Sequence, residues 1–142
     1  MERDDLYQGI LLDHFRNPRH RSAMEAAAAA WQERNPACGD VVLLQADLSQ
    51  GRLDRLVHDT RGCAISVASA SIMTGLLEGL PVAEAGKRAA DVCAFLRGDD
   101  PLPADADDRL AALATVRAFP MRLKCALLPW VGLGKWLGQV GR

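Results

Sequence analysis

Apolar positions along the chain switch from a helical rhythm to an alternating one and back. Residues 4–15 put Leu6 and Ile10, with Leu11 and Phe15, on one helical face. Asp4 or Asp5 supplies a cap, and Asn17-Pro18 stops the helix, because a residue before proline is pushed out of the α region. The alanine run Ala26–Ala30 favours helix by propensity. Val41 to Leu48 is β-branched and aliphatic, Gln50-Gly51 supplies a turn, and Arg52 to Asp59 alternates, so the three predict a hairpin. Ile65, Ala68, Ile72, Leu76 and Leu80 then recur at three- and four-residue steps, a helix over 66–80. Gly79 lies near its end, and Pro81 suits the first turn of another helix running to about Arg97.

After the loop Gly98 to Pro103, Asp107 or Asp108 caps a helix to about Ala118, Phe119-Pro120 interrupts it, and Met121 to Leu137 is partly helical. Within that last segment Pro129 would remove the hydrogen bond to the carbonyl of Cys125 and clash with it. The segment is therefore expected to begin or kink near Pro129, and Gly132, Gly134 and Gly138 to leave it short or irregular. A helix, a small antiparallel sheet and a run of helices predict an α+β domain with helices on one sheet face. No repeat or linker divides the 142 residues, so one domain spans 1–142.

Composition narrows the chemistry. A net charge of −1 carries no electrostatic signature of nucleic-acid binding, and seven aromatics leave little for a base-stacking platform. The charged start Met1-Glu2-Arg3-Asp4-Asp5 has no apolar stretch behind it to act as a secretory signal. Residues 126–137 are too short to span a bilayer, so the expected partners include no membrane and the expected location is cytoplasmic. Four cysteines in a reducing compartment point to metal or sulfur chemistry before disulfides, although no CxxC pair gives them zinc-finger spacing.

Cys38 and Asp40 stand two apart across Gly39, after Asn35-Pro36. If that segment is extended, both side chains point to one face, and a thiolate with a carboxylate suits a metal such as zinc. The plainer reading, a capping Asp beside a small buried thiol, is disfavoured by the exposed bend that the flanking residues predict. Cys63 follows Gly62 just before a helix, where backbone N–H groups favour a thiolate; a structural cysteine at a tight corner explains it equally well. Cys125 follows Arg122 and Lys124, whose charge also favours thiolate. On a helix Arg122 would share a face with Cys125 and reach Asp40 or a freed thiolate, against the alternative of a basic turn with a half-buried cysteine. Cys93 has no Gly, Pro or basic neighbours and reads as core packing. His14 and His20 read as surface groups, and His58 is an outside candidate ligand. No HExxH, Ser–His–Asp order, GxGxxG or Walker loop is present.

Taken together, Asn35-Pro36-Ala37-Cys38-Gly39-Asp40, Gly62-Cys63-Ala64-Ile65-Ser66 and Arg122-Leu123-Lys124-Cys125-Ala126 resemble the U-type iron–sulfur cluster assembly proteins. Leu6-Tyr7 and Leu12 to Arg19 are similar too, so the likeness covers nearly the whole chain. The intervals are 63 − 38 = 25 and 125 − 63 = 62 residues. The longer second interval, and Lys124 where the scaffold branch carries His, resemble the SufU branch.

That resemblance implies a three-stranded sheet with a strand at Ala26–Ala30, and Cys38, Asp40, Cys63 and Cys125 as Zn²⁺ ligands. It implies Cys38 as persulfide acceptor and Arg122 as the residue assisting ligand exchange. The activity it implies is zinc-dependent sulfur transfer from a pyridoxal-phosphate cysteine desulfurase (SufS-like) toward downstream iron–sulfur assembly proteins. The alternative it leaves open is a scaffold on which the same residues hold a [2Fe–2S] cluster.

Overall fold

The computed structural model describes residues 3–140; Met1 and Glu2 of the charged start lie outside the described residues. The elements run α1 (Arg3–Arg16), a 3₁₀ turn (Ala26–Ala28), β1 (Trp31–Arg34), β2 (Val41–Ser49), β3 (Arg52–Arg61), α2 (Ala64–Leu77), α3 (Val82–Arg97), α4 (Asp108–Ala114) and α5 (Pro120–Val140). The strands form one antiparallel sheet in the order β1-β2-β3. The hairpin forms as its pattern predicts, with Val41 opposite Arg61 and Ser49 opposite Arg52, and a register shift at Asp47/Leu48.

Val42 and Leu44 of β2, with Leu53 and Leu56 of β3, face the main core. There α2 packs on β3, while α5 lies against β1 and β2 and α3 against α5. On the opposite side Leu43 and Asp59, register partners, are also buried, and the Met24 N–H donates to the Asp59 carboxylate. The stretch between α1 and β1 thus covers part of the second sheet face.

Three local expectations are corrected. Ala26–Ala30 form neither a helix nor the third strand: only Ala26–Ala28 make a 3₁₀ turn, and the strand begins at Trp31, opposite Leu44. Alanine offers little surface to hold a short edge strand, whereas Trp31 and Glu33 turn half-buried side chains toward α5. On α1 the inward positions are Tyr7, Ile10, Leu11 and His14, while Leu6 and Phe15 stay exposed. The packed face is set by α2, whose Ser71 Oγ meets His14 Nδ1 at 2.7 Å, so His14 is a buried group. α4 ends at Ala114, short of Ala118; tighter i→i−3 bonds from Thr115, Val116 and Arg117 continue it as turns.

The fourth correction concerns α5, one helix of 21 residues with Pro129 inside it, so it neither begins at Pro129 nor is short. The helix tolerates the proline with a serine hydroxyl of α2 lying against the one carbonyl it strands. Ser66 Oγ lies 3.3 Å from the Cys125 carbonyl, which Pro129 cannot serve. Ser69 Oγ donates to the next carbonyl, Ala126, at 2.6 Å, and accepts from Trp130 Nε1 at 2.9 Å. Pro120 stands at the first position of α5, where its missing N–H costs nothing.

Candidate metal centre

Three segments distant in sequence meet at one end of the sheet. The first is the connection between β1 and β2. Asn35 is buried there and folds the loop on itself: its side-chain oxygen accepts from the Ala37 N–H, its carbonyl from Gly39 N–H, and its own N–H donates to Asp40 O at 2.9 Å. Gly39 sits at φ +77°, a left-handed conformation that a residue with a Cβ adopts only with strain. Cys38 and Asp40 are therefore joined by a turn and not by the extended backbone expected, yet both reach the same site.

The second segment is the corner between β3 and α2. Cys63 is the N-cap of α2, and its Sγ accepts from the Ser66 N–H at 3.5 Å. Gly62 makes room for Asp40: a Cβ there would overlap the Asp40 carboxylate. The third segment is the first half of α5, which delivers Cys125 to the interior, 6 % exposed.

Cys38 Sγ lies 3.8 Å from Cys125 Sγ. Ligand atoms of Cys38, Asp40 and Cys125 all fall within 4.8 Å of one another. The structure thus brings together three of the four expected ligands. Cys63 stands beside Cys125 but outside that mutual range, its sulfur turned to its own helix terminus.

Asp40 is 5 % exposed, and its hydrogen bonds come from Ser66 Oγ at 2.6 Å and Cys63 N–H at 3.3 Å, with no ion pair to a basic side chain among the described residues. Burial pushes its carboxyl pKa up, but the hydrogen bonds from Ser66, Cys63 and Cys125 outweigh it and leave the pKa below the ordinary value. Cys125 moves the other way. Burial, then the neighbouring Cys63, Asp40 and Cys38, push its thiol well up, so the basic residues nearby in sequence do not govern it.

A buried carboxylate with no ion pair, set beside three thiols, is a donor arrangement that a cation can complete. The donor set fits one. An S–S separation of 3.8 Å is about the edge of a tetrahedron built on Zn–S bonds of about 2.3 Å.

The other sequence candidates fall elsewhere. Arg122 is exposed and stacks on the Phe119 ring at 4.9 Å, paired with neither Asp40 nor a thiol in this arrangement. His58 is fully buried in β3, its Nδ1 meeting Thr60 Oγ1 and its Nε2 the Arg19 carbonyl, so both nitrogens are engaged away from the cysteines. Cys93 lies in the core, its thiol pushed up by burial. Ser66 went unnoticed as a site residue. The signal was its place three residues after an N-capping Cys63, which turns it toward the same end of α2.

Residues 6–126 match the NifU-like N-terminal domain family. The zinc-dependent sulfurtransferase SufU of Bacillus subtilis is 34% identical over 139 residues, 96% of this chain and 92% of that protein. The iron–sulfur cluster assembly scaffold protein IscU of Streptococcus pyogenes is 31% identical over 128 residues, covering 90% and 80%. A solved structure from Fervidobacterium islandicum, described as a scaffold protein for the SUF system, superposes with a TM-score of 0.78 at 26% identity, covering 90% of this chain and 93% of that one.

Proposed function

The chain belongs to the NifU-like N-terminal domain family, and on that premise we propose that it is a zinc-dependent sulfur acceptor serving iron–sulfur cluster assembly. Cys38, Asp40, Cys63 and Cys125 are its metal ligands, and a cysteine desulfurase of the SufS kind is its donor. The observation that carries this reading is the buried, unpaired Asp40 set among thiols, two of them 3.8 Å apart. Bound Zn²⁺ would keep the thiols ionised without oxidising them.

Cys38 is the acceptor because it is exposed on a loop tip, while Cys125 is buried and Cys63, though exposed, is held as the N-cap of α2. Its thiolate attacks the outer sulfur of the donor's cysteine persulfide. A new S–S bond forms on Cys38 as the donor's S–S bond breaks, and the donor cysteine leaves as thiolate with the electron pair. No net oxidation occurs. Asp40, held by Ser66 and the Cys63 N–H, stays in place while Cys38 moves. Arg122, exposed on the first turns of α5, is free to leave Phe119 and neutralise a released thiolate or Asp40.

The scaffold reading has support of its own in the IscU relatives, one of which is 31% identical. Metal analysis of protein purified without added iron separates the two. Colourless protein with one zinc per chain is expected; a brown chromophore with iron and sulfide overturns the zinc reading in favour of the scaffold. Desulfurase turnover is expected to rise on adding the protein and to lose that stimulation with Cys38→Ala. Undiminished stimulation by that variant overturns the acceptor assignment.

A further inference from the structure

Ser66 is fully buried and touches three of the four proposed ligands. Its hydroxyl reaches Asp40 Oδ2 at 2.6 Å, the Cys125 carbonyl at 3.3 Å and Cys63 Sγ at 3.6 Å. One hydroxyl has one proton, and two of these neighbours are pure acceptors: the carboxylate and the carbonyl. At 2.6 Å the carboxylate holds it, leaving the Cys125 carbonyl as the second, weaker acceptor.

That carbonyl needs a donor from outside its own helix, because the residue four positions on is Pro129, which has no N–H. Neighbouring Ser69 shows the complementary case, with its hydroxyl given wholly to the Ala126 carbonyl at 2.6 Å. The serine pair on α2 therefore fills the row of α5 carbonyls around the proline, and Ser66 alone divides its proton between that row and a metal-site carboxylate.

We propose that Ser66 is a positioning residue for the metal site, its hydroxyl bonded to Asp40 Oδ2 and keeping that carboxylate aimed at the cation both before and after the cation binds. The Cys125 carbonyl, stranded by Pro129, is the second acceptor that keeps the hydroxyl at this corner. The inference deepens the proposed function and rests on its zinc site.

Zinc affinity, measured by competition with a chromophoric chelator, tests it in a cycle of wild type, Ser66→Ala, Asp40→Ala and the double variant. Ser66→Ala is expected to weaken zinc binding about 10- to 100-fold, as removal of a residue supporting a metal ligand does. The double variant should bind no more weakly than Asp40→Ala within about threefold, because Ser66 acts through Asp40. Urea midpoints of the zinc-free proteins separate this from a folding defect, which would lower stability while leaving the two affinity losses additive. Additive losses, or an unchanged affinity in Ser66→Ala, overturn the role of Ser66 and leave the zinc site standing. Wild-type protein that takes up no zinc overturns the site and this inference together.

Discussion

Asp40 is placed by two glycines that act in different ways. Gly39 supplies the left-handed turn that brings Cys38 beside it, and Gly62 supplies empty space for its carboxylate. A methyl group at Gly62 meets the carboxylate first, so overpacking worth about 1–3 kcal/mol falls on a metal ligand. Gly62→Ala is expected to lower the zinc-free urea midpoint and, because the displaced group is Asp40, to weaken zinc binding about tenfold or more in chelator competition. His58 carries a separate residue-scale prediction. Its Nε2 can only donate to the Arg19 carbonyl, so the neutral ring accepts from Thr60 at Nδ1. Burial lowers its pKa to about 4, outweighing the hydrogen bond to the Arg19 carbonyl, which raises it, with a lesser lowering from the nearby Arg21 charge. The unfolded chain therefore binds the extra proton first, and stability is fully present above about pH 6.5 and falls as pH drops toward 4. From one histidine the loss by pH 4 is about 3 kcal/mol. Urea unfolding from pH 7 to pH 4 should show it, and His58→Gln should flatten that slope.

Among the elements, α5 does most to define the site, and its glycines are not equivalent. A Cβ at Gly132 would lie 2.8 Å from Glu33 Cβ, on the face packed against β1, while Gly134 and Gly138 have nothing within 4 Å. Gly134→Ala and Gly138→Ala should each raise stability by about 0.5–1 kcal/mol through helix propensity. Gly132→Ala should lower it by about 1 kcal/mol or more, since overpacking outweighs the same gain, and it should also disturb the Lys135–Glu33 pair at 2.8 Å. Urea titration of the three variants gives the order directly. What the sequence could tell about such elements depended on how local their causes are. The β2–β3 hairpin, the Asp107 cap and the Cys63 helix start rest on neighbours within a few residues, and each was readable. Pro129 misled because the hydroxyl that meets its stranded carbonyl, that of Ser66, lies about sixty positions away on α2. The packed face of α1 was misplaced for the same reason, since Ser71 chooses His14 from 57 residues off. Likewise β1 is a four-residue edge whose existence depends on pairing with β2, not on its own propensity. At the site, the ligand types and the order of their motifs were visible, whereas the role of Ser66 required its contacts with Asp40 and Cys125.

At the scale of the molecule, the proposed ligands come from the β1–β2 loop, the β3–α2 corner and α5, which together hold the sheet against the helical layer. No helix among the described residues is long and apolar enough to cross a membrane. In the metal-free protein these segments meet through weak sulfur contacts and hydrogen bonds to a buried carboxylate that has no ion pair among the described residues. A dication bound there would tie all three segments at one point, so metal binding free energy becomes folding free energy. At a free zinc concentration a hundred times its dissociation constant, the stabilisation is about 3 kcal/mol. For a chain of this length that corresponds to a melting temperature about 10 °C higher with zinc than after chelation. Hydrogen exchange should localise the effect: chelation should deprotect Asn35–Asp40, the start of α2 and the turns of α5 around Cys125 together, while the α3 amides change little. Deprotection confined to the Asn35–Asp40 loop would mean that the metal is held by Cys38 and Asp40 alone, and that the other two cysteines are not ligands.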